Sequence, residues 1–248
     1  MAITVPIAAQ LAVGSFNATS TSNQVAWSIE VETRESTTWG SGAFQQHVPS
    51  LRTLDVAIGG YNDYAAGAWD EYQRTAQGTP QIVTLAPDTA AVATLAVMAN
   101  GLMPAATNFD ASVGDISTIN ATIVGGIVFP PMAEGQVTRA SGTNITATTT
   151  TTPVNLGSIV ATQHVVAAVH VFTYSGTGTL IFQLQSSATS GGSYANRGTA
   201  GAAISAAGAQ WITATGLAVP GEPFWRLNVT ASASPVANVL ASIAIFTP

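Results

Sequence analysis

The chain has 248 residues, of which 7% are charged, and its six basic and twelve acidic side chains give a net charge of −6. Every basic residue is arginine and cysteine is absent, which removes disulfide frameworks and thiolate zinc sites from consideration. An acidic chain without a basic stripe is not built as a nucleic-acid reader, and no apolar run is long enough to cross a bilayer as a helix.

Mean hydropathy is positive at +0.34. A surface so poor in charge is weakly protected against association, so much of it is expected to be buried against other copies of the chain. The start "MAITVPIAAQLAVGSF" lacks the basic residues of a secretory signal, and Pro6 and Gln10 interrupt its apolar run. The expectation is a soluble protein with no membrane segment.

From residue 24 to 33 the sequence alternates. Val25, Trp27, Ile29 and Val31 fall on one side, and Ala26, Ser28, Glu30 and Glu32 on the other. That period predicts a half-buried strand with an acidic outer face. Glu30, Glu32, Arg34 and Glu35 are crowded into six positions of a chain that otherwise avoids charge. The next stretch, "TRESTTWGSGAFQQHVPS", has turn-type composition and exceeds an ordinary hairpin loop, a length that marks functional or mobile segments. "LRTLDVAIGG" then resumes strand character.

"YNDYAAGAWDEYQRTAQGTP" predicts a helix. Asp63 is its expected N-cap, and Ala65, Ala68, Trp69 and Tyr72 share a face. Asp70 and Arg74 form an i,i+4 pair, and Gly78 and Pro80 supply the stop. Further strands are expected near 81–86, 92–98 and 115–128. The segment 135–157 contains Thr148 to Thr152 in a row followed by Pro153, and reads as a linker; a threonine-rich strand is the competing reading.

Beyond it the pattern is all β. "HVVAAVHVFTYSG" and "TLIFQLQSS" flank Gly176-Thr177-Gly178, a hairpin signature, and three more short strands follow, as in a sandwich or jelly roll. The expected organisation is a β domain over 1–140, a linker over 141–153 and an all-β domain over 154–248. Charge divides the same way. Residues 1–140 hold four arginines and eleven acids, a net of −7; residues 141–248 hold two arginines and one acid, a net of +1.

Little points to catalysis. His164 and His170 share a strand face, but no acid or cysteine adjoins them to complete a metal site, and they read as structural. No G-x-S-x-G elbow occurs. Glu30 and Glu32 are a carboxylate pair about 6–7 Å apart along a strand, though glycosidase pairs normally come from separate elements. No enzyme, cofactor or metal is expected. The N-x-T triplets at Asn17, Asn120, Asn144 and Asn228 read as chance in so threonine-rich a chain. "SATSGGSYANRG" (187–198) has the residues of a carbohydrate-binding loop, but a plain hairpin turn is the simpler reading. The tryptophans at 27, 69, 211 and 225 are expected in cores.

Taken together, an acidic strand, a long loop, a strand ending in "GGYND" and a helix, with the later "ASVGDISTINATIVGGIVF", resemble the major tail tube protein of long-tailed (siphovirus-type) bacteriophages over residues 20–135. The stretch from "TLIFQLQSSATSGGSYANRG" to "FWRLNVTAS" resembles the β-sandwich appendages of phage structural proteins over 155–247, above all in phages of high-GC hosts, which suits the missing lysine. Element order and composition carry the likeness; no single residue is diagnostic.

The resemblance implies a mainly β protein, with a tail-tube-like β-sandwich or barrel unit flanked by one helix and a C-terminal Ig-like or jelly-roll-like sandwich. It implies a virion protein, made in the host cytoplasm, whose copies close into hexameric rings that stack as a tube. DNA passes through without specific binding; the partners are the chain itself, the tape measure and the tail terminator. Glu30 and Glu32 would face the lumen, and Arg34, Glu35, Trp39 and Phe44 would belong to the loop joining rings. The C-terminal domain would decorate the exterior and could meet a host surface glycan. A surface adhesin or carbohydrate-binding module is the alternative, as is another virion part such as a capsid decoration or tail terminator.

Overall fold

The computed structural model describes residues 9–35, 47–62, 65–87, 91–110, 116–125, 132–217, 219 and 221–247; within its strands the side chains of residues 29, 31–34 and 47–52 lie outside that description. Along the chain come β1 (Gln10–Val13), β2 (Phe16–Asn17), β3 (Ser22–Glu35), β4 (His47–Tyr61) and the helix α1 (Trp69–Thr75). β5 (Gln81–Ala86), β6 (Leu95–Asp110), β7 (Thr118–Gly125), β8 (Met132–Arg139), β9 (Asn144–Ile145), β10 (Thr149–Thr150) and β11 (Val154–Asn155) follow. The last are β12 (His164–Gly176), β13 (Thr179–Ser187), β14 (Ala195–Asn196), β15 (Gly208–Ala214), β16 (Phe224–Ser232) and β17 (Pro235–Phe246). The protein is mainly β, as its alternating patterns require.

Two compact units emerge, and neither is continuous in sequence. The first comprises 1–20, 81–100 and 128–248; the second comprises 21–80 and 101–127. The sequential division expected at 140–153 is therefore corrected, because β1, β5 and the first part of β6 belong with the C-terminal strands.

In the first unit, strands run in the order β15-β12-β17-β8-β6-β5-β1-β2, with β6 paired to β8 from Leu95↔Gln136 to Ala99↔Met132. A second sheet, β10-β16-β13-β14 with β11 also on β16, packs on β12 and β17. Val165, Val169, Phe182, Leu184, Trp225 and Leu227 are among the buried residues of the core between them. Val166 and Ala168 project from the other side of β12 into a further cluster with Ile82, Met98 and Ala244. A strand buried on both faces reads as a near-continuous apolar run, which is why "HVVAAVHV" lacks the alternation of 24–33.

Two local expectations fail here for physical reasons. The threonine run is not a linker. Thr149↔Val229 and Thr150↔Asn228 pair β10 with β16, and buried Thr151 accepts the Leu227 N–H on its hydroxyl at 2.8 Å while donating its own N–H to the Leu227 carbonyl at 2.8 Å. Threonine suits a pleated, half-buried edge. Nor does Gly176-Thr177-Gly178 close a hairpin, since β12 pairs with β15 and β17 while β13 pairs with β14 and β16. The tripeptide is the corner where the chain leaves one sheet for the other. Gly178 has φ +97°, and a Cβ there would collide with the Ser232 carbonyl oxygen, so only glycine fits.

In the second unit, β3-β4-β7-β6 forms an antiparallel sheet, β6 contributing Leu102 to Asp110. The helix is shorter than its sequence suggests. Ala68 is the N-cap with no side-chain cap, and Asp63 lies outside the described residues. Glu71 in the first turn reaches back past the cap and accepts the Gly67 N–H at 2.6 Å. Ala65 is exposed before the helix, whereas Trp69 is fully buried. The Asp70–Arg74 ion pair forms at 3.2 Å, and Gly78 stops the turn at φ +72°.

Candidate functional site

Register in the second unit separates two faces. On one, Leu54, Val56 and Ile58 of β4 stand opposite Trp27 and Val25 of β3 and Ile123 and Ala121 of β7. All of these but the two β3 residues are fully buried or nearly so. On the other face stand Gln24, Ala26, Ser28 and Glu30, then Thr53, Asp55 and Ala57, then Asn120 and Thr122, then Asn108 and Asp110. Glu30, Thr53, Ala57, Asn120, Asn108 and Asp110 are exposed.

This second face is acidic, with no opposing charge among the described side chains. Glu30, Asp55 and Asp110 sit on it, and among the described side chains it carries no arginine. Ser28 faces Asp55 across the ladder and Glu30 faces Thr53, so Glu30 and Asp55 are diagonal neighbours, roughly 7–8 Å apart. One Asp55 oxygen is shielded from solvent and accepts no hydrogen bond. A shallow depression of about 210 Å³ is lined by Gln24, Ala26, Ala57, Gly59, Asn120 and Thr122, where short side chains leave room.

The predicted residues fall as follows. Glu30 is exposed on this face. Glu32 lies in β3 where the register shifts between Val31 and Thr33, and its side chain is outside the described residues. Arg34 and Glu35, expected at the mouth of a loop, are still in the ladder, opposite Val48 and His47. Trp39 and Phe44 lie outside the described residues. Asp55 and Asp110 were missed by the sequence reading. The signal for Asp55 was present, since in "RTLDVAI" the residues Thr53, Asp55 and Ala57 alternate with Leu54, Val56 and Ile58. The one for Asp110 was not, because a register shift between Pro104 and Ala106 resets the face of β6.

The sheet ends in two edges. β3, fourteen residues long, bonds only to β4 among the described strands, and from Leu102 to Asp110 β6 pairs with β7, the Pro104 carbonyl on it also accepting the Gly78 N–H at 3.4 Å. Long edges template pairing with another chain unless they are covered.

His170 is structural in its geometry. His170 is fully buried; its Nδ1 donates to the Gly14 carbonyl at 2.8 Å and its Nε2 accepts from the Thr84 hydroxyl at 2.7 Å. Burial lowers its pKa to about 4, against a smaller upward pull from the Gly14 bond. Among the described residues no three His, Asp or Glu side chains gather as metal ligands, and no helix is long and apolar enough to cross a membrane.

No family model matches the chain, and no curated protein does. Solved structures similar to the chain include the following three. One belongs to the virion of a native gene transfer agent particle, at 15% identity and TM-score 0.37, covering 48% of this chain and 92% of the other. Another is the anti-feeding prophage cap that terminates its tube, at 13% identity and TM-score 0.40, covering 55% and 95%. The third is SPP1 Dit, described as a paradigm of the hub adsorption apparatus in phages infecting Gram-positive hosts, at 11% identity and TM-score 0.33, covering 96% and 99%. Likeness at this level assigns no function.

Proposed function

We propose that this chain is a structural protein of a phage tail whose copies join through the β3–β4–β7–β6 sheet into rings, and whose rings stack into a tube. The acid-only face of that sheet would line the lumen. The carrying observation is the pairing of a buried apolar face with an exposed face bearing Glu30, Asp55 and Asp110 and no described cation. Duplex DNA carries one negative charge per about 1.7 Å of axis, so a like-charged, short-chained wall lets it slide without sticking. An edge-to-edge ring would also pair β3 of one copy with the β6 edge of the next, covering both edges.

The test is charge reversal at the two most exposed acids. Tubes of E30K/D110K should retain linear duplex DNA in a co-sedimentation assay at low salt and release it at high salt, while wild-type tubes retain none. Equal retention by both would remove the lumen assignment.

A further inference from the structure

From residue 141 onward the chain has two arginines, Arg197 and Arg226, and one acidic side chain, Glu222. That carboxylate belongs to Arg197. Its Oε2 accepts from Arg197 Nη2 and from the Ser186 hydroxyl, whose oxygen in turn accepts Arg197 Nε at 2.7 Å. The Ser186 bond leads in holding the Glu222 pKa below the usual carboxylate range. Among the described residues Arg226 has no such partner.

Arg226 is nevertheless fixed in place. Alternation along β13 and β16 sends Leu184, Trp225 and Leu227 into the core and leaves Gln185 and Arg226, which are cross-strand partners, on the outer face. Arg226 Nε donates to Gln185 Oε1 at 2.9 Å, and Gln185 Nε2 donates to Asn196 Oδ1 at 2.8 Å. The guanidinium carbon lies 3.8 Å from the centroid of the Tyr194 ring, whose hydroxyl is tied to the Ser190 carbonyl at 2.9 Å. Stacking and one neutral hydrogen bond hold the group, and its two terminal amino groups meet no acceptor among the described residues. The exposed Asn196 leaves its amide N–H groups in the same condition.

Arg226 thus presents guanidinium donors, with the Asn196 amide on β14 beyond Gln185. A guanidinium whose plane is set in advance matches a two-oxygen anion bidentately and loses little freedom on binding it. The surround is hydroxyl and amide, with Asn228 and Thr230 further along β16 and Thr150 opposite Asn228, beside one aromatic ring. Such a surface suits a hydroxyl-rich ligand better than an apolar one.

We propose that the outer face of β13, β14 and β16 binds an anionic saccharide, a sugar bearing a carboxylate or a phosphate, with Arg226 as its anchor. The site stands on the first unit alone, so its failure would leave the tube reading untouched.

Isothermal titration calorimetry on the full chain tests it, with oligogalacturonate and glucose 6-phosphate as probes and a neutral oligosaccharide and inorganic phosphate as controls. The acidic sugars should bind, more weakly as salt rises, and the neutral one should not. R226Q should lose at least about tenfold in affinity. N196D, at an exposed position, should lose affinity as well, by adding a carboxylate next to Gln185, the partner of the guanidinium, where it repels the bound anion, and serves if R226Q folds poorly. Equal binding of neutral and acidic sugars, wild-type affinity in N196D, or no binding of either acidic sugar would overturn the proposal. Inorganic phosphate binding as tightly as glucose 6-phosphate would reduce the site to an anion hole and overturn the saccharide. Loss of self-association in R226Q without sugar binding would assign the anion to a second copy, again overturning it.

Discussion

His170 shows how a single residue can carry more than its sequence context suggests. It joins β12 to the β1–β2 turn through Gly14 and to β5 through Thr84, so one imidazole ties three separated segments of the first unit. With its folded pKa near 4 and an unfolded value near 6.5, the unfolded chain binds the extra proton between those limits. Stability therefore falls as pH drops from about 6.5 to about 4, by about 3 kcal/mol in all, and flattens below. Urea unfolding across that range should show the slope in the wild type and lose it in H170N; an unchanged slope would mean that the buried imidazole is not its source. The sequence offered two histidines on one face of an apolar run, and burial of the second could be read from that. Its partners could not, since Gly14 and Thr84 are 156 and 86 residues away.

At the scale of elements, the strands with one wet face were legible and those with two dry faces were harder. β3 and β4 alternate, so their acidic and apolar sides could be assigned before any pairing was known, and Asp55 was present in that pattern. β10 was misread because a threonine run has the composition of a linker, while its role depends on the distant Leu227. Thr151→Val keeps the shape but removes the acceptor of a buried N–H, and should cost about 1–3 kcal/mol in urea unfolding; a neutral result would return the segment to a passive tether. The glycine corner at 176–178 was misread for a related reason. Two glycines around one residue satisfy both a hairpin and a sheet-to-sheet turn, and only the pairing of β12 with β17 rather than β13 separates the two.

For the whole molecule, the interleaving of 1–20, 81–100 and 128–248 in one unit and 21–80 with 101–127 in the other was beyond a reading that moves along the chain. β6 crosses from one unit to the other within a single strand, so no change of composition marks the boundary. The charge division survives that correction in a sharper form. The acids assigned to the candidate site are on the second unit's outer sheet face, while the C-terminal stretch uses its one acid to neutralise Arg197 and leaves Arg226 open. Scarce charge on a chain of positive mean hydropathy is what a self-covering assembly would carry. The most direct measurement is negative-stain electron microscopy of the purified full chain over a range of concentrations. Rings or hollow tubes of uniform diameter are the predicted result, and small discrete particles at every concentration would contradict the account.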